Sequence, residues 1–158
     1  MKISLIAIGK TDQEYLKKGI SEYNKRLKHY ARFEIKEVPA LKKTSNMPSE
    51  VIKQKEADLL LKHLEKKTDC VVLLDEKGKE LSSLEFSGFL QKQLNAGTRE
   101  MAFVVGGAWG FHETIKQRAQ HTLSLSRMTF SHQMVRLFFV EQLYRALTIL
   151  KGEGYHNE

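Results

Sequence analysis

The chain has 158 residues, 41% hydrophobic and 28% charged, with a formal net charge of +7 and a pI near 9.4. That length supports one domain with a real core, and the apolar content is too high for a disordered segment. Residues 1–68 hold 16 Lys and Arg against 9 Asp and Glu, while residues 69–158 hold 10 of each, so the whole excess lies in the first part.

The first apolar run, residues 3–8, reads as a buried strand and is too short for a signal-peptide core. A capping box at Thr11, Asp12, Gln13 and Glu14 is expected to open a helix, with Leu16, Ile20, Tyr23, Leu27 and Tyr30 on its buried face. Its other face carries Lys17, Lys18, Lys25, Arg26 and Lys28, with Lys10 and Arg32 at its ends. Such a stripe fits phosphate contact or, more plainly, a solvated helix face. Residues 33–38 form a second strand, residues 39–48 a polar loop, and residues 49–67 a helix buried through Leu60, Leu61 and Leu64.

Residues 71–74 form a short apolar strand, followed by a turn around Gly78 over residues 75–81. Cys70 beside it is the single cysteine, so there is no internal disulfide, and no Cys/His cluster has zinc spacing. A reducing, cytoplasmic setting is expected, and no stretch approaches the roughly 20 apolar residues that span a bilayer. A capping box at Ser82 and Glu85 opens a helix that Gly97 ends as a left-handed cap. A strand over residues 101–105 runs into Gly106, Gly107, Ala108, Trp109 and Gly110. A helix over 112–120, a strand over 122–125 and a loop over 126–131 follow.

The last helix, residues 132–150, is apolar nearly all round apart from a stripe of Glu141, Arg145 and Thr148, the first two a favourable i,i+4 pair. One side can meet the sheet and the other then needs a second subunit, so a homodimer is expected. Alternating strands and helices, with strands apolar throughout, indicate a single α/β domain: a parallel sheet with helices on both faces.

Ligands collect at the carboxyl ends of strands in such sheets. Three ends look prepared: Leu74 before the Gly78 turn, Val105 before the paired glycines, and Leu125 before Ser126, Arg127, Met128, Thr129 and Phe130. Paired glycines let backbone approach a ligand, although they also serve tight turns. The glycine segment is GGxxG and comes late, and no acidic residue ends the next strand, which argues against a dinucleotide site. There is no P-loop motif and no GxSxG elbow. The tail around Gly152, Gly154, Tyr155 and His156 is richer than an unconstrained chain end needs.

The run LSLSRMTFSHQMVRLFFVEQLYRALTILKGEGYH, with FVVGGAWGF and the opening KISLIAIGK, resembles the RlmH family over essentially the whole chain. These are knotted SPOUT-class enzymes that methylate N3 of a pseudouridine in 23S ribosomal RNA. The resemblance implies a deep trefoil knot in the C-terminal segment, an exception to ordinary topology. Residues 69–158 would then be the knotted cofactor-binding part behind a basic part, 1–68. It further implies a homodimer, S-adenosylmethionine as cofactor, and the assembled ribosome as substrate. Cofactor contacts carry over onto Leu74, Gly106, Leu125, Ser126, Arg127, Met128, Thr129 and Phe130, the three strand ends already singled out.

Catalysis and RNA recognition carry over onto Arg145, Tyr155 and His156, completing a site across the dimer. The acceptor nitrogen is protonated at neutral pH, so a base is needed; His156 is the first choice and His132 the rival, unless His132 only caps its helix. Arg145 suits a developing anion or a phosphate, and Tyr155 a flipped base. Glu141 reads as the partner of Arg145. Three residues depart from the family pattern: Ser131 stands at a usual proline, which is expected to loosen the loop, Trp109 is bulky, and Gly154 is unusual. A non-catalytic RNA-binding or ribosome-assembly module of the same fold is the alternative.

Overall fold

A computed structural model describes residues 1–64 and 66–157. Five strands alternate with five helices: β1 (Lys2–Ile8), α1 (Glu14–Leu27), β2 (Arg32–Val38), α2 (Ser49–His63), β3 (Cys70–Glu80), α3 (Ser83–Asn95), β4 (Glu100–Val105), α4 (Glu113–Arg118), β5 (His121–Ser124) and α5 (Met134–Leu150). All strand pairs are parallel, in the order β2-β1-β4-β3-β5. The expected α/β sheet covered on both faces is what forms. Side chains alternate across each strand. Ile3, Leu5 and Ala7 therefore join one core with Ile20 and Leu27 of α1, Leu90 of α3 and Phe139 and Leu143 of α5. Ile6 and Ile8 join the other with Leu60 of α2 and Ile115 of α4. Burial in this core pushes the Cys70 thiol up to about 11, which keeps it protonated and unreactive.

Several elements depart from expectation for local reasons. The capping box at Thr11 does not form: α1 starts at Glu14 with Gln13 at its N-cap and no side-chain cap. Thr11 is buried instead, its amide donating to Glu37 (2.9 Å) and its hydroxyl accepting from Arg136 (3.0 Å). The box at Ser82 and Glu85 does form, both of its hydrogen bonds present. Gly97 adopts φ 79° as the helix cap. α2 ends at His63, a turn before the expected Lys67; Glu65 on that path lies outside the described residues.

β3 runs on to Glu80 where a plain turn was expected. Leu123 of β5 pairs with both Leu74 and Lys79, so residues 75–78 bulge out between the two pairings. Gly78 serves this crossing: a Cβ there would lie 2.6 Å from the Leu123 carbonyl carbon. The bulge sends Asp75 and Glu76 toward the carboxyl edge of the sheet.

α5 lies on the sheet between α1 and α3. Those helices cover much of the surface that the sequence left for a partner: Leu137, for example, packs on Gly19 of α1. Phe138, at 43% exposure, stays open, and Met134, Val135, Tyr144, Ile149 and Leu150 are only half-buried. No helix of the described residues is long and apolar enough to cross a membrane.

Candidate active site

The bulge of β3 and the carboxyl ends of β4 and β5 converge on one cleft of about 540 Å³, inside the range of about 300–1,000 Å³ usual for small-molecule sites. Leu74, Gly106, Leu125, Ser126, Met128, Thr129 and Phe130 all line it. Arg127 does not: its side chain is 87% exposed and turns away to Glu80, 3.3 Å off. The sequence reading missed Lys53 of α2, Asp75 and Glu76 of the β3 bulge, and Val135 of α5, which also line the cleft. None carries a motif; only the folding of distant segments onto one edge brings them there.

The loop after β4 closes as a tight turn, Gly110 donating to the Gly107 carbonyl (3.1 Å) at φ 82°, a conformation that favours glycine. Trp109 stands at its tip, 59% exposed and facing the cleft. Gly106 sits close under Phe111, where a Cβ would meet the ring at 3.2 Å and press it aside by a few tenths of an ångström. The loop after β5 is tied at each step. Ser126 accepts from the Met128 amide (2.9 Å), and Thr129 donates to Glu76 (2.6 Å), joining two of the three loops. Ser131 is tied into the start of α5, its hydroxyl accepting from the Met134 amide (3.1 Å) and its carbonyl from Val135 (3.0 Å). Gln133, not His132, occupies the N-cap position, and the His132 side chain faces the cleft.

A methyl donor of the sulfonium type fits these walls. Leu74, Val105, Leu125 and Val135 give apolar surface, Asp75 and Glu76 supply negative charge, and Lys53, Lys77 and Lys116 supply positive charge, which suits a ligand carrying groups of both signs. Glycine backbone lets that ligand come close.

The second group lies elsewhere. Gly152 takes φ 69° and donates to Ile149, while Glu153 donates to Thr148 (3.0 Å), a Schellman motif that ends α5 and turns the tail back. Tyr30 then holds Glu153. Tyr155 donates to Glu141 (3.1 Å), so its 3.2 Å contact with Tyr23 is one in which Tyr23 donates. Burial, the Tyr23 hydroxyl and Glu141 hold the Tyr155 phenol well above its ordinary value, leaving it a donor rather than a base.

Arg145 reaches Glu141 (2.5 Å), lies over the Tyr155 ring (4.8 Å) and contacts His156 Nδ1 at 3.3 Å. Arginine can only donate, so the hydrogen-bond network assigns Nδ1 as acceptor and places the proton of the neutral ring on Nε2. Arg145, Tyr155 and His156 are thus one cluster, and none of them lines the cleft of the same chain.

A parallel α/β sheet with a glycine-walled cleft at its carboxyl edge defines an α/β ligand-binding fold. The family described as "Predicted SPOUT methyltransferase" matches residues 1–156. The chain belongs to that family, and is a methyltransferase. The family implies the C-terminal knot that the sequence resemblance also implied. A protein of Christiangramia forsetii named Ribosomal RNA large subunit methyltransferase H is 52% identical over 99% of both chains. One of the same name from Parabacteroides distasonis is 50% identical over the whole of both. A solved structure, a probable methyltransferase from Bordetella pertussis Tohama I, shares the fold with a TM-score of 0.57 at 12% identity, over 92% of this chain and 96% of that one.

Proposed function

We propose that the chain methylates N3 of a pseudouridine in 23S ribosomal RNA on the assembled ribosome, as a cytoplasmic homodimer using S-adenosylmethionine. The observation that carries this reading is the convergence of the β3 bulge and the loops after β4 and β5 on one cleft with apolar walls, glycine backbone and charges of both signs. Full-length likeness to proteins named for ribosomal RNA methylation supports the substrate class.

S-adenosylmethionine supplies an electrophilic methyl group when bound in the cleft. The loops of β3, β4 and β5 hold it, with the Arg127 backbone within the β5 loop although its side chain points away. Arg145, Tyr155 and His156 belong to the cleft of a second copy. That accounts for their distance from their own, and for Trp109, Met128 (77% exposed) and Phe138 left open near the cleft. His156 takes the N3 proton through Nδ1 once Arg145 swings from it to the imide oxygen or a phosphate. Tyr155 stacks on the flipped base.

Two measurements test this. Isothermal titration is expected to show S-adenosylmethionine binding, and a deletion strain to lose one methyl on a 23S pseudouridine by mass spectrometry. Binding without the lost methyl would favour the ribosome-assembly alternative.

α1 is the expected ribosome contact. Lys17 and Lys25 are exposed and pair only with neighbouring Glu14 and Glu22, bonds worth little in water. Arg26 lies over Tyr23 and Tyr144. Reversing Lys17, Lys18, Lys25 and Arg26 should weaken ribosome binding and flatten its salt dependence, with cofactor affinity unchanged. Unaltered ribosome affinity in this variant would make α1 a solvated face.

A further inference from the structure

α2 contributes Lys53 to the cleft wall, and one turn on it places a carboxyl behind the glycine loop. Glu56 is only 8% exposed, among the apolar side chains Ala57 and Leu60. Its carboxyl packs directly on Gly107; burial raises its pKa, and the nearby Gly107 amide works against that rise. Oε2 is buried with no hydrogen-bond partner. A Cβ on Gly107 would fall on the carboxylate oxygens, so the second glycine of the pair is fitted to this side chain. A buried, half-satisfied carboxyl costs stability, and an apolar residue would suit this core better. Neither the fold nor the cleft lining accounts for it.

We propose that Glu56 is a positioning residue for the methyl donor. Its carboxylate accepts from Gly107 N–H and so fixes the plane of the Gly106–Gly107 peptide. In a trans peptide the carbonyl points opposite to the N–H. The Gly106 carbonyl is therefore turned away from α2 and offered as an acceptor on the cleft wall, where it suits an amino donor of the ligand. Phe111, packed on Gly106, limits rotation from the other side. No residue of the cleft lining performs this task, because backbone amides of a glycine loop do not orient themselves.

The inference rests on the cleft being the S-adenosylmethionine site, and the test separates the two. Titration with S-adenosylmethionine is run on the full chain, on Glu56→Ala and on Glu56→Gln, with melting temperatures alongside. Losing a charge-assisted acceptor is expected to raise Kd about tenfold in the alanine variant, while glutamine, which keeps the shape and an acceptor oxygen, stays within about threefold. Turnover at saturating cofactor should change little in either. The Gly107 amide of the unaltered protein is expected to resonate downfield and exchange slowly by NMR, a reading that needs no variant and decides the contact if the alanine variant does not fold. Unchanged affinity in a folded Glu56→Ala, an equal loss in Glu56→Gln, or a rapidly exchanging Gly107 amide would overturn the proposal. Failure of the unaltered protein itself to bind S-adenosylmethionine would overturn the reading of the cleft, and this inference with it.

Discussion

Replacing His156 with alanine is expected to lower methylation of ribosomes at saturating cofactor by about a hundred- to ten-thousandfold, the span usual for loss of a general base. The acceptor N3 holds a proton that must leave before nitrogen can bond to the methyl carbon. His156 is 3.3 Å from Arg145 with its Nδ1 accepting, so the lone pair that would take that proton is engaged until Arg145 moves. Arg145→Ala should therefore act on two levels, losing the charge that meets the substrate and the contact that orders His156. Arg145→Lys should not restore activity. A lysine cannot bridge Glu141, through two nitrogens, and His156 at once as the guanidinium does. Cofactor affinity measured by titration is expected to hold in all three variants. Full methylation by His156→Ala would remove it as the base, and His132, which faces the cleft, would become the residue to replace.

Periodicity made the elements legible, because strands buried on both faces and helices with one apolar stripe leave a clear pattern. The cleft was legible as the segments after Leu74, Val105 and Leu125, since glycines and apolar runs mark them locally, although the first proves to be a bulge within β3 and not its end. What stayed hidden depends on pairs of residues far apart in the chain. Thr11 carries a perfect local capping signal, yet a buried arginine 125 positions away recruits its hydroxyl and the helix starts uncapped. Gly78 reads as a turn residue, but its work is to let β3 cross the backbone of β5. Glu56 sits in a helix whose charges look like surface, and only the fold reveals that one of them faces inward. α1 and α3 cover part of the apolar α5 within the same chain, leaving Phe138 exposed and Met134, Val135, Ile149 and Leu150 half-buried. The proposed dimer rests on that remaining face together with the separation of cleft and tail.

Arg136→Met is expected to destabilise the fold by about 3–5 kcal/mol, in line with breaking a buried, hydrogen-bonded charge. Arg136 is fully buried. It donates to the carbonyls of Ile8 (2.7 Å), Gly9 (2.9 Å) and His132 (3.0 Å) and to the Thr11 hydroxyl (3.0 Å), with Glu37 at 3.9 Å. Burial lowers its pKa, and Glu37 and then Asp12 oppose that shift. Removing the charge relieves a desolvation cost of several kcal/mol, which on its own would make methionine stabilising, as for some buried ion pairs. Here the partners are chiefly main-chain carbonyls, which no substitution takes away. Each buried acceptor left without a donor costs about 1–3 kcal/mol, and three carbonyls with one hydroxyl outweigh the relief. Arg136→Lys should be destabilised as well, because a single ammonium cannot reach acceptors spread along the end of β1 and the start of α5. Gln133 clamps the same junction, donating to the Lys10 carbonyl (2.8 Å) and accepting from the Asp12 amide (3.2 Å). The junction carries His132 and Val135 into the cleft, so the loosened variant should also bind S-adenosylmethionine more weakly than its stability alone accounts for. Urea unfolding at one fixed protein concentration measures the first effect, and titration below the transition the second. A methionine variant as stable as the parent would show that the carbonyls find other donors and that the arginine is dispensable to the clamp.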